Sequence, residues 1–136
     1  MADSKFRDLL AWQRGMALVT RVYSATQEFP RREVYGLTNQ IRRASVSIPS
    51  NIAEGKGRHS KKEYIQFLYR ARGSLFEVET QLEIASNLGY FRAAVFNELR
   101  EEAAGVARVL NGLVTSVEKQ VETGSPDSRQ PTADSP

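Results

Sequence analysis

Cysteine is absent from all 136 residues. Disulfides, thiolate metal sites and thiol chemistry are excluded together, and the absence fits a reducing compartment. Histidine occurs once, at His59. A carboxylate-bridged di-iron bundle needs two Glu-x-x-His motifs, and the chain has none. Bundle-type ribonucleases of the HEPN class place an arginine a short way before a histidine, but here Ile52, Ala53 and Glu54 stand at that spacing. Gly55-Lys56-Gly57 lacks the spacing of a phosphate-binding loop. His59 is expected in an exposed loop. With these chemistries missing, neither an enzyme nor a bound metal or cofactor is expected.

Long apolar runs are missing as well. The longest stretch without a charged residue runs from Ala44 to Ala53, and a membrane span needs roughly 20 apolar residues. The opening Met1 to Asp8 has no apolar h-region, so neither a signal peptide nor a membrane location is expected, and the cytoplasm is. No helix-turn-helix, RRM or KH pattern is readable, which argues against sequence-specific readout of nucleic acid.

What is present is a moderate supply of apolar residues, 40%, beside 26% charged residues, enough for one packed domain. The formal charge of +3 conceals a division. Between Arg31 and Arg72 stand ten Lys/Arg against Glu33, Glu54 and Glu63, an excess of +7. From Gly73 to Glu118 three Arg face seven Glu, a deficit of −4. The two halves would suit different partners.

Four segments carry helical periodicity. Leu9, Trp12, Met16, Val19, Tyr23 and Thr26 mark the first, which Pro30 closes. Val34, Leu37, Ile41, Ala44, Ile48 and Ile52 mark the second, which stops at Gly55-Lys56-Gly57. Ser60 and Glu63 read as a capping box opening the third helix, whose seam is Tyr64, Leu68, Ala71, Leu75, Val78, Leu82 and Ala85, ended by Gly89. The fourth places Val95, Leu99, Ala103, Val106, Leu110, Leu113 and Val117 on one face. No segment alternates as a half-buried strand would. Short connections at 29–32, 56–60 and 88–91 predict an all-α, antiparallel up-down four-helix bundle over residues 1–120. Residues 121–136 turn to Pro, Ser and Asp with little to bury, which predicts a disordered C-terminal tail. Pro49 falls inside the second helix, at a cost of about 3 kcal/mol. Either the helix kinks there or a new one starts; Ile52 continues the stripe and favours a kinked, continuous helix.

The stretch from Tyr35 to Gly55, Tyr-Gly-Leu-Thr-Asn-Gln-Ile-Arg-Arg-Ala-Ser-Val-Ser-Ile-Pro-Ser-Asn-Ile-Ala-Glu-Gly, resembles the signature of the bacterial four-helix-bundle family of 23S rRNA intervening-sequence proteins. Phe6-Arg7-Asp8-Leu9 with Trp12, Phe29-Pro30, Arg58, and Gly73-Ser74-Leu75 with Glu77 match too, and the likeness spans residues 6 to about 117. It implies a four-helix bundle assembling as a homopentamer without known catalytic activity. It also implies an architecture similar to the accessory variability protein of diversity-generating retroelements, with a reverse transcriptase or other protein, and RNA or DNA, as partners.

Four residue groups stand out. Arg42, Arg43, Lys56, Arg58, Lys61 and Lys62 form a basic group able to bind phosphates, or merely a solvated face. Ser47, Pro49, Asn51 and Glu54 make a polar motif, read as structural support for the helix around the proline rather than as a chemical site. Gly36 and Gly73 are read as points of close helix approach. Ile65, Tyr69 and Phe76 form a second apolar stripe on the third helix, which suits a subunit interface or extra core width. The expected function is a non-catalytic oligomeric accessory protein that binds nucleic acid through a basic surface. The alternative is an oligomeric scaffold for an acidic protein partner.

Overall fold

A computed structural model describes residues 5–123. Within them the chain forms four α-helices and no strand: α1 over Leu10–Ala25, α2 over Leu37–Lys56, α3 over Lys61–Asn87 and α4 over Ala93–Glu122. Single 3-10 turns at Thr26–Glu28 and Arg31–Glu33 join α1 to α2, and another at Lys5–Asp8 precedes α1. α1 packs on α2 and α4, and α3 packs on the same two helices. α1 and α3 therefore face each other across the core of an antiparallel four-helix bundle, the expected fold. One end of the bundle gathers the start of α1, the α2–α3 turn and the close of α4. The other holds the α1–α2 and α3–α4 connections. Of the tail expected from residue 121, the structure describes only residues 121–123, where α4 runs on through Glu122. The rest of that expectation lies outside the described residues.

The seams of α3 and α4 are the core. Leu68, Leu75, Val78, Leu82, Leu99, Val106 and Leu110 are each at most 1% exposed. Burying one such side chain contributes about 1.5–3 kcal/mol, and Leu18 and Val22 of α1 and Ile41, Ile48 and Ile52 of α2 are buried as fully. The Glu63 N–H donates to Ser60 Oγ at 3.1 Å and caps the start of α3. At the far end Gly89 has φ 76°. Tyr90 N–H donates to Ala85 O and Gly89 N–H to Ser86 O, a Schellman closure that needs the left-handed residue.

α1 departs from the expected phase. Its core residues are Ala11, Gly15, Leu18 and Val22, while Met16 and Tyr23 stand exposed. This face lies against α2. A Cβ on Gly15 would lie 3.5 Å from both Ile48 Cγ2 and the Pro49 ring. α2 also begins later than expected. Val34 is exposed ahead of it, and Gly36, at φ −114° and ψ −116°, breaks the backbone path. Past Gly36 the helix is continuous through Pro49, whose ring is buried.

The two glycines singled out for close helix approach do not serve it. A Cβ on Gly73 would meet nothing within 4 Å, and one on Gly36 would meet only Glu33 nearby in its own turn. The close approach is at Gly55, where a Cβ would fall 2.6 Å from Phe67 Cβ and 3.1 Å from Tyr64 Cδ1. Gly55→Ala should therefore destabilise the protein, although alanine is favoured over glycine in a helix by about 1 kcal/mol. Gly73→Ala should stabilise it by about 0.5–1 kcal/mol. Urea unfolding followed by circular dichroism compares them, and a neutral Gly55→Ala would contradict the packing described.

Glu33 braces the other end. Its Oε1 accepts from Leu37 N–H at 3.0 Å, capping α2, and its Oε2 accepts from the Tyr90 hydroxyl at 2.7 Å. Phe29 packs edge-on to Phe91 and tilted against Tyr90 beside them. The Leu37 hydrogen bond, then that of Tyr90, hold the Glu33 carboxyl below the usual carboxylate range. A depressed folded pKa contributes stability that is present above the unfolded value, about 4.3, and lost as pH falls through the folded one. Glu33→Gln should flatten the acid limb of stability against pH. An unchanged limb would show that the carboxylate is idle.

Candidate nucleic-acid interface

The chain has five lysines, Lys5, Lys56, Lys61, Lys62 and Lys119. The antiparallel order brings all five to one end of the bundle: Lys5 just before α1, Lys56 at the close of α2, Lys61 and Lys62 opening α3, and Lys119 in the last turn of α4. Glu54, Glu63 and Glu122 also lie at this end, so its character comes from how the cations are held as well as from their number.

They are held on aromatic rings. Lys56 Nζ and Lys61 Nζ each lie 5.7 Å from the Tyr64 ring centroid. The guanidinium carbons of Arg58 and Arg70 lie 4.6 and 4.5 Å from the Phe67 centroid. Each such contact is worth about 0.5–1 kcal/mol at an exposed site and limits the rotamers of a long side chain before any ligand arrives. Arg58 also donates to Glu54 Oε2 at 2.7 Å, which neutralises part of its charge. Lys62 is exposed and has no partner among the described residues. Tyr64 is buried beneath the lysines, and burial pushes its hydroxyl up to about 12, so it stays neutral at every physiological pH. That hydroxyl has no hydrogen-bond partner among the described residues.

The six basic residues singled out from the sequence do not make one patch. Lys56, Arg58, Lys61 and Lys62 share the α2–α3 end. Arg42 turns inward to the α1 side, donating to Thr26 Oγ1 at 2.8 Å and to Tyr23 O at 3.3 Å, with its guanidinium 4.6 Å from the Tyr23 centroid. It is a tether between α1 and α2. Arg43 lies exposed in a shallow groove between α2 and α3, beside Glu77 and Gln81. Phe67 and Arg70 escaped the sequence reading; their three-residue spacing on one helix is the signal that could have found them.

The polar motif works inside the fold. Asn51 Nδ2 donates to Ser47 O at 2.8 Å and to Ser47 Oγ at 2.9 Å, and the Ser47 and Ser74 hydroxyls share a hydrogen bond of 2.8 Å between α2 and α3. The expected outer stripe of α3 is split. Ile65 is buried in the core, and Tyr69 is half-buried with its hydroxyl donating to Glu118 Oε2 at 2.6 Å. Only Phe76 stands open, 58% exposed. Ile65 and Tyr69 face α4 of their own chain, and two long helices side by side need that width. His59 is exposed in the α2–α3 turn.

The family model of the 23S rRNA-intervening sequence protein matches residues 7–112. The chain belongs to that family. The matched region spans the start of α1, the lysine-bearing turn and most of α4. A solved structure, a protein with unknown function from the S23 ribosomal protein family of Bacteroides thetaiotaomicron VPI-5482, is 18% identical. It superposes with a TM-score of 0.70 over 77% of this chain and 98% of that one, a likeness of fold. Comparison with curated proteins finds no match. No helix among the described residues is long and apolar enough to cross a membrane.

Arg42→Ala should lower stability through loss of its two hydrogen bonds, by about 1–3 kcal/mol for bonds from a charged donor. It should leave any ligand affinity at the lysine end intact. Thermal melting and a binding titration on the same sample check both halves.

Proposed function

We propose that this protein is a non-catalytic, cytoplasmic accessory protein that holds nucleic acid by its phosphate backbone at the α2–α3 end of the bundle. The observation that carries the reading is the set of cations pre-positioned there on Tyr64 and Phe67. Lys binds phosphate as a point charge and Arg through a bidentate fork. A side chain already confined by a ring loses less freedom on binding. Among the described residues no helix or loop at this end is shaped to enter a groove and read base edges, so the contacts belong to phosphate and the binding to shape and charge.

The protein acts as a homo-oligomer in this reading, a pentamer by family resemblance. One copy offers seven cations, the five lysines with Arg58 and Arg70, partly offset by Glu54, Glu63 and Glu122, a weak site. Several copies with their lysine ends on one surface turn weak sites into one strong field and one multivalent grip.

Affinity for short RNA and DNA should be weakly sequence-dependent and fall steeply with salt, with a log–log slope of about −0.9 per duplex phosphate neutralised and about −0.7 for single strands. Replacing Lys56, Arg58, Lys61 and Lys62 together by alanine should weaken binding to every sequence alike and flatten that slope. Titrations of wild type and quadruple variant at two salt concentrations test this. A wild type that leaves RNA and DNA unbound at low salt, or a variant that binds equally well, passes the lysine end to an acidic protein partner.

A further inference from the structure

Almost every aromatic ring among the described residues has a ring, a cation or a hydroxyl bond as partner. Two have none: Tyr35, 92% exposed, and Phe76. They sit on different surfaces of opposite chemistry. Tyr35 projects from the turn before α2, beside the exposed Val34, with Arg31 a few residues upstream. Arg31 is exposed and forms no ion pair among the described residues. Phe76 lines a groove of about 550 Å³ between α3 and α4, whose walls include Glu79, Glu83 and Arg100. Glu79 and Glu83 have no ion-pair partner among the described residues. Burial holds the Glu79 carboxyl above its ordinary range.

We propose that the Arg31–Tyr35 turn of one copy docks into the α3–α4 groove of a second copy, head to tail. The inference rests on the oligomeric reading above and assigns the two surfaces that meet. Tyr35 and Val34 bury against Phe76 and the floor at Ala103 and Ala104, and Arg31 neutralises Glu79 and Glu83. The two surfaces are complementary in charge as well as in apolar character, and an aromatic beside an arginine is the usual composition of an interface anchor. The groove's carboxylates would repel phosphate, so nucleic acid is not its occupant. Knob and groove are different patches, which makes the contact heterologous and lets it propagate into a closed ring. The lysine end takes no part in the contact and stays open.

Light scattering on the full chain, with circular dichroism as a check on folding, tests the pairing. The wild type should be oligomeric. Arg31→Glu alone, and Glu79→Arg with Glu83→Arg together, should each weaken association about tenfold or more and shift the mass toward monomer. Mixed in equal amounts, the two charge-reversed proteins should reassociate, because each reversed surface now meets its opposite. Tyr35→Ala and Phe76→Ser, both at exposed sites, should dissociate the assembly with helicity intact and serve if the groove variant fails to fold. A monomeric wild type overturns the oligomeric reading itself. An oligomeric wild type whose variants stay assembled, or whose reversed pair fails to recover, overturns this pairing and leaves assembly to another face.

Discussion

The contact of α2 with α3 at Gly55 is the constraint on which the rest of the molecule depends. No side chain fits there, because Phe67 Cβ and Tyr64 Cδ1 occupy the space. α2 therefore ends pressed against the first turns of α3, and a turn of a few residues reverses the chain. The same closeness puts the Tyr64 and Phe67 rings under Lys56, Arg58, Lys61 and Arg70. The packing that closes the bundle thus also arms its end. A bulkier residue at position 55 would disturb fold and cation array together.

The two ends are built from different interactions. The lysine end uses charge over aromatic faces and leaves its heads in water. The other end is stitched by Glu33, which caps α2 and receives the Tyr90 hydroxyl from the α3–α4 connection. Arg42 adds a tether from α2 to the end of α1. Between the ends, the Ser47–Ser74 hydrogen bond links α2 and α3. The five lysines gather at one end, Arg31 and Arg32 stand at the other, and Glu79 and Glu83, with no ion-pair partner among the described residues, lie along the α3–α4 groove.

How much was legible in the sequence follows from side-chain size. α3 and α4 carry large aliphatics at regular steps, so their buried faces are readable residue by residue, from Leu68 to Ala85 and from Leu99 to Val117. α1 misleads because its core face mixes small Ala11 and Gly15 with Leu18 and Val22, while the bulky Met16 and Tyr23 stay outside. Periodicity weighs bulk and so selects the wrong face. The basic group was visible as composition but not as a surface, since Arg42 turns inward and Arg70 joins from a full helix turn away. Of the two readings of the α3 stripe, extra core width fits Ile65 and Tyr69, because a helix with two neighbours needs apolar residues over a wide arc and these two meet α4, while Phe76 stays outside. Gly55 reads as part of a helix stop and Gly73 as a close approach, and only the three-dimensional path shows that the close approach is at Gly55.

The central claim, that the lysine end is the nucleic-acid surface, is tested most directly by acetylation footprinting of lysines on the intact protein with and without a short RNA at low salt. Protection of Lys56, Lys61 and Lys62, with arginine modification at Arg31 and Arg92 on the opposite end unaffected by the RNA, is the result the account predicts. Unchanged reactivity of the three lysines in RNA-bound protein, or protection confined to Arg31 and Arg92, would contradict it.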